Sequence, residues 1–164
     1  MLQTGQRAPE IALTDLQGRP RRPLAHGKGE RGDLLLIFYK DSCPTCQYTL
    51  PFVERLHHLI GPRGARIVAV AQDDAEKSRA FASRFGVTFP ILVDAPDYRT
   101  SIAYGLTIVP SLFLVRADGE IRLAVEGFSR KILAGMGADL ASSIGAPAPA
   151  IYRDGEQVLE TKPG

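Results

Sequence analysis

Apolar and polar positions change rhythm along this chain in a way that predicts alternating strands and helices. Residues 1–32 carry one short apolar stretch, Ile11-Ala12-Leu13, then a turn at Gln17-Gly18 and a loop rich in proline, glycine and basic residues. Leu34 to Tyr39 is an unbroken apolar run, the mark of a strand covered on both faces. Gln47 to Ile60 has helical spacing, with Leu50, Val53, Leu56, Leu59 and Ile60 on one side. Pro51 falls inside that helix, where it should produce a kink, and Gly61-Pro62 should end it. Arg66 to Ala71 is a second buried strand. Asp73 and Asp74 are suited to cap a following helix whose apolar face is Phe81, Phe85 and Ala82, with Gly86 as its stop.

Further on, Phe89 to Val93 reads as extended, and Asp94 to Tyr104 as a short helix closed by Gly105. Ser111 to Arg116 and Glu120 to Glu126 flank Asp118-Gly119, a strong hairpin signal. Ser129 should cap a last helix running to about Ile144. The predicted fold class is therefore α/β, a central mixed sheet flanked by helices. Residues 1–145 form the expected domain. Residues 146–164 are expected to be a linker, Ala146-Pro147-Ala148-Pro149, and a tail that either forms a small hairpin around Asp154-Gly155 or frays.

Composition narrows the function. The chain has 164 residues, 45% hydrophobic and 23% charged, as in soluble globular domains, and is long enough to bury a full core unaided. A net charge of +2 gives no reason to expect nucleic acid or an anionic membrane as partner. The one local basic excess, Arg19, Arg21, Arg22, Lys28 and Arg31, is broken by glycine and proline and reads as a solvated loop. No apolar run approaches the ~20 residues that cross a bilayer, so membrane insertion is not expected. The first nine residues carry no apolar leader segment, so a cytosolic protein is the expectation, or a periplasmic one if an export segment was removed.

Only two cysteines are present, Cys43 and Cys46. A disulfide closing so short a loop removes little chain entropy, so the pair reads as chemistry rather than as a staple. The segment Ser42-Cys43-Pro44-Thr45-Cys46 sits where a buried strand passes into a helix. Cys43 then falls at the helix N-cap, where free N–H groups and the dipole favour negative charge on its sulfur, the state that attacks disulfides. Pro44 suits the first helical turn because its missing N–H costs nothing there. Cys46 is less than one turn away, so the two sulfurs can meet, with Cys43 attacking and Cys46 resolving the mixed disulfide. A zinc site is the main structural alternative. It needs four ligands, and only His26, His57 and His58 could join the thiolates. His57 and His58 lie on the same helix roughly 16 Å beyond Cys46, too far to share a metal with it. No metal and no cofactor is expected.

With these residues in place, the chain resembles the thioredoxin superfamily, and within it the TlpA/ResA-like thiol–disulfide oxidoreductases and the redoxin branch related to AhpC/TSA proteins. The similarity spans residues 5–145. It rests on the CPTC segment after Leu34–Tyr39, on Pro51, on Phe85 to Asp94, which looks like that branch's inserted helix–strand element, and on Tyr104 to Ser111 with the hairpin after it. The resemblance implies that Val109–Pro110 is a cis peptide packed against the redox pair, and that Val109 offers backbone groups to a substrate chain as a strand edge does. On sequence alone an ordinary trans proline opening a strand is the default reading. The implied site is catalytic Cys43 and Cys46, with Pro110, Val109, Pro44, Thr45 and Ser42 supporting it. The implied partners are a disulfide-bearing protein or small thiol and an upstream electron donor, acting on a monomer.

This sequence departs from the thioredoxin pattern in two places. Ser42 stands where the superfamily often has Trp, and the chain has no Trp. Ile37 stands where thioredoxin has a buried acid, so a proton acceptor for Cys46 would have to come from Asp41, Asp73 or Asp74, each of which suits a cap or the surface better. A peroxidase of peroxiredoxin type is the competing enzyme reading. Its Pro-x-x-x-Thr/Ser-x-x-Cys pattern fails here, because Leu36 and Lys40 occupy the key positions relative to Cys43. A non-catalytic binding module of the same fold is a third reading, against which the intact CPTC argues.

Overall fold

The computed structural model describes residues 1–24 and 32–164. Lys28 and Arg31 of the basic loop, and His26, lie outside the described residues.

The continuous apolar run folds as β3 (Leu34–Tyr39), in which all six residues are buried. It is covered on both faces because it is central. β4 (Arg66–Ala71) pairs with it in parallel on one side and β6 (Ser111–Val115) antiparallel on the other. β5 (Ile91–Val93) extends the parallel set beyond β4, and β7 (Ile121–Glu126) closes the hairpin onto β6. The N-terminal strands β1 (Leu13–Asp15) and β2 (Pro20–Arg21) complete a seven-stranded sheet of order β2-β1-β5-β4-β3-β6-β7. The mixed sheet is the one expected from the alternation of patterns.

Period-2 alternation along β3 divides the core in two. Leu35, Ile37 and Tyr39 face a layer built by α1 (Pro44–Ile60), α2 (Ala75–Phe85) and α4 (Arg130–Ser143). Leu34, Leu36 and Phe38 face Ile11, Phe113 and Tyr104, the last at the end of α3 (Arg99–Ala103). The caps are those read from the sequence for α2 and α4: the side chains of Asp74 and Ser129 accept from the amides of Lys77 and Ile132. Gly86 takes the left-handed conformation, φ +67°, that ends α2.

α1 starts at Pro44, behind the Cys43 cap expected from the sequence, and is one continuous helix through Pro51 to Ile60. Two expectations are corrected. Leu59, placed with the apolar side, is 43% exposed. Successive i+3 steps from Leu50 through Val53 and Leu56 each drift about 60° around a helix that turns about 100° per residue. The third step carries Leu59 off the buried stripe that Ile60 rejoins. Finally, the tail neither frays nor folds into a hairpin. Asp154-Gly155 do form a turn, but the chain on either side packs against the body. Ile151 is 2% exposed, Arg55 holds Glu156 through two hydrogen bonds of 2.7 and 3.0 Å, and β9 (Thr161–Lys162) pairs with β8 (Phe128–Ser129).

Candidate active site

β3 ends at Tyr39 and α1 begins at Pro44, so the C-terminal end of this central strand delivers Cys43 to the helix N-cap. Cys43 has an extended backbone, φ −85° and ψ 113°, and its sulfur takes the capping position. The Cys46 amide donates to Cys43 Sγ at 3.1 Å. That bond, with the helix N-terminus behind it, favours negative charge on the sulfur. The loop before the cap is fixed at Asp41: its amide donates 2.6 Å to the Asp73 carboxylate, and its carbonyl accepts from Gln47 Nε2 at 2.8 Å.

The two thiols meet opposite environments. Cys43 is partly exposed between exposed Ser42 and Pro44, whereas Cys46 is wholly buried in the layer under α1. Burial first, and then the neighbouring Cys43 sulfur, push the Cys46 thiol well above the ordinary thiol range. Both cysteines are free thiols here.

The Val109–Pro110 bond is cis, and it brings the Val109 carbonyl to the cysteines: Cys43 Sγ donates to it at 3.2 Å. Pro110 is buried, and its own carbonyl accepts from the Gly127 amide at 2.8 Å. Ser42, Cys43, Pro44, Thr45, Cys46, Val109 and Pro110 are thus gathered into one cluster, although 63 residues separate its two halves in the chain.

Among the described residues, no carboxylate is hydrogen-bonded to Cys46 in the place of thioredoxin's buried acid, where this chain has Ile37. Asp74 is engaged as the α2 cap and Asp73 by the Asp41 amide, and neither is hydrogen-bonded to Cys46. Tyr39 lies in that layer, fully buried, with its ring packed on Phe81 at 4.7 Å. His57 and His58 stand on the last turn of α1, with His58 Nε2 at 2.9 Å from Glu54. The contact that sequence reasoning missed is made by Thr45. Its hydroxyl donates 2.5 Å to the carbonyl of Pro163 in the tail, and no local pattern announces that bond.

The fold and the paired thiols define a thioredoxin-fold thiol–disulfide oxidoreductase. Residues 4–124 match the AhpC/TSA family, and the chain belongs to that family. It is 33% identical over 129 residues to thiol-disulfide oxidoreductase ResA of Geobacillus thermodenitrificans, covering 77% of this chain and 71% of that protein. It is also 33% identical over 125 residues to the thioredoxin-like protein YneN of Bacillus subtilis, covering 74% and 70% of the two. A secreted disulfide oxidoreductase of Mycobacterium tuberculosis shares the fold with a TM-score of 0.63 at 23% identity, over 78% of this chain and 94% of that one.

Proposed function

We propose that Cys43 and Cys46 work as a reducing dithiol in which Cys43 is the nucleophile and Cys46 the resolving thiol. The observation that carries this reading is the asymmetry of the pair: one sulfur at a helix N-cap within reach of solvent, the other buried one turn on. Cys43 thiolate attacks one sulfur of a substrate disulfide. A Cys43–sulfur bond forms, the substrate S–S bond breaks, and the departing sulfur takes up a proton. Cys46, once deprotonated, attacks Cys43 Sγ. The Cys43–Cys46 bond forms and the second substrate thiol leaves. Two electrons pass to the substrate, and the two thiol protons end on its products. An upstream dithiol donor returns the pair to the reduced state.

Val109 and Pro110 are the substrate-facing wall in this reading, because the Val109 carbonyl already contacts the attacking sulfur. Pro44 and Thr45 set the helix start, and Ser42 leaves the approach open. The reducing direction goes with the cytosolic setting expected from the sequence, and with action as a monomer. The peroxidase reading is weaker, since buried Leu36 and exposed Lys40 still occupy the positions that reading needs.

The test is turnover of a disulfide substrate with a dithiol donor. Cys43→Ser should fall to the uncatalysed rate, and Cys46→Ser should accumulate a mixed disulfide on Cys43. Wild-type turnover in both variants would refute the assignment.

A further inference from the structure

The end of the tail lies on the elements that a substrate has to reach. Thr45, inside the CPTC segment, is only 4% exposed and is tied to the Pro163 carbonyl. Gly164 sits so close to Val109 that a methyl group on it would come within 2.6 Å of the Val109 carbonyl oxygen. That oxygen is therefore flanked by Cys43 Sγ and by the tail. β9 reaches this place by pairing with β8, Phe128 opposite Lys162 and Ser129 opposite Thr161. The approach is close along its length: at Gly127, with φ +71°, a methyl group would lie 2.6 Å from the Lys162 carbonyl.

The segment is held all the way from the far end of α1. Arg55 Nη1 donates 2.8 Å to the Ile151 carbonyl and pairs with Glu156. Tyr152 packs on Phe52 with ring centroids 5.3 Å apart and donates to the Arg130 carbonyl at 3.2 Å. The Leu159 amide donates 3.0 Å to the Tyr48 hydroxyl. The residues on α1 that receive it, Thr45, Tyr48, Phe52 and Arg55, are spaced three, four and three apart and form one helical stripe. The stripe leads the tail to the first turn of the helix and to the redox pair.

An extended polypeptide docks by laying its backbone along an exposed edge. Here the chain's own tail already pairs with β8 and ends with Pro163 against Thr45 and Gly164 against Val109. We propose that residues 161–164 are an intramolecular occupant of the docking edge, and that they make the site select small, compact disulfides over extended polypeptide ones. This rests on Cys43 being the nucleophile. A small disulfide reaches the partly exposed Cys43 sulfur from the side of exposed Ser42 and Pro44 without touching the tail. A polypeptide has to displace residues 161–164 first, and its apparent rate falls by the fraction of time they are docked.

The experiment uses the full chain carrying Cys46→Ser, which holds the mixed disulfide. One sample is reacted with glutathione disulfide and another with a disulfide-linked unfolded peptide of about 12 residues, long enough to lie along the edge. Amide hydrogen exchange of residues 159–162 is then compared. The glutathione adduct should keep the tail's protection, and the peptide adduct should exchange there at least ~10-fold faster. In competition, the wild-type protein should consume glutathione disulfide in preference to the peptide. Equal tail protection in both adducts would overturn this inference alone. Failure of both disulfides to form an adduct on Cys43 would overturn the Cys43 assignment, and this inference with it, whereas an adduct with glutathione and none with the peptide would be the same selection in its extreme form.

Discussion

The unit β3–α1 and the tail that crosses α1 are held by different kinds of contact. β3 is buried at every position, and α1 sends Leu50, Val53 and Leu56 into the same layer. The tail buries one large side chain, Ile151, and otherwise depends on hydrogen bonds, two ion pairs, ring contacts and the short β8–β9 pairing, made to α1 and to the β8–α4 junction. The first kind of contact is cooperative with the whole core and sets the geometry of the thiols. The second can open locally while the core stays closed. Chemistry in this protein is built on the rigid region, and access to it is governed by the loosely tethered one.

Four perturbations, in descending order of effect, sharpen that contrast. Leu50→Ala, in the rigid unit, should cost about 2–5 kcal/mol of global stability, read from urea unfolding. Ile151→Ala should cost clearly less by the same measure, because the tail can detach before the domain unfolds, while exchange of the amides of residues 151–162 rises with α1 still protected. Equal global losses would show that the tail is part of the cooperative unit and break the comparison.

Alkaline pH gives the third effect. The Cys46 thiol is raised in the folded protein, so its contribution to stability is fully present below the unfolded thiol value of about 8.5 and is lost as pH rises from there toward the raised folded value. The oxidised protein has no Cys46 thiol to titrate. Unfolding curves of the reduced form should weaken first above that pH, with the disulfide form following only when the buried tyrosines begin to count, since burial raises Tyr39 and Tyr104 as well. Attack by Cys46 on the mixed disulfide should likewise quicken with pH.

The smallest effect is at Glu156. Its hydrogen bonds to Arg55 lower its carboxyl to about 2. A lowered carboxylate stabilises above its unfolded value and loses that stabilisation as pH falls toward the folded one. Exchange of the tail amides should therefore rise as pH drops from about 4.3 toward 2, after correction for intrinsic exchange. Glu156→Gln should flatten that dependence and leave α1 unaffected.

Legibility in the sequence followed the same division. β3 and β4 match their apolar runs residue for residue, and the caps at Asp74 and Ser129 are where short polar side chains precede a helical pattern. These signals are local, so they survive in the sequence. The start of α1 was legible from the cysteine pair, with Cys43 as its cap and Pro44 in its first turn, although the cap is a sulfur rather than the usual oxygen. β5 is shorter than its extended pattern, beginning at Ile91, and α3 begins only at Arg99 because the Asp94 carboxylate caps the Thr100 and Ser101 amides. The cis Val109–Pro110 bond was implied by resemblance, since nothing in the residues themselves separates it from a trans proline. The course of the tail left no trace at all. Its partners Thr45, Tyr48 and Arg55 look like ordinary helix residues, and only the fold brings them to Pro163, Leu159 and Glu156.

The central claim is that Cys43 and Cys46 form one two-electron couple. Mass spectrometry of the reduced wild-type protein after reaction with glutathione disulfide tests it most directly. The account predicts a product lighter by about 2 Da in which the peptides carrying Cys43 and Cys46 are joined, with two glutathione thiols released per protein. A stable glutathione adduct on Cys43 with Cys46 still free, or an unchanged mass, would contradict it.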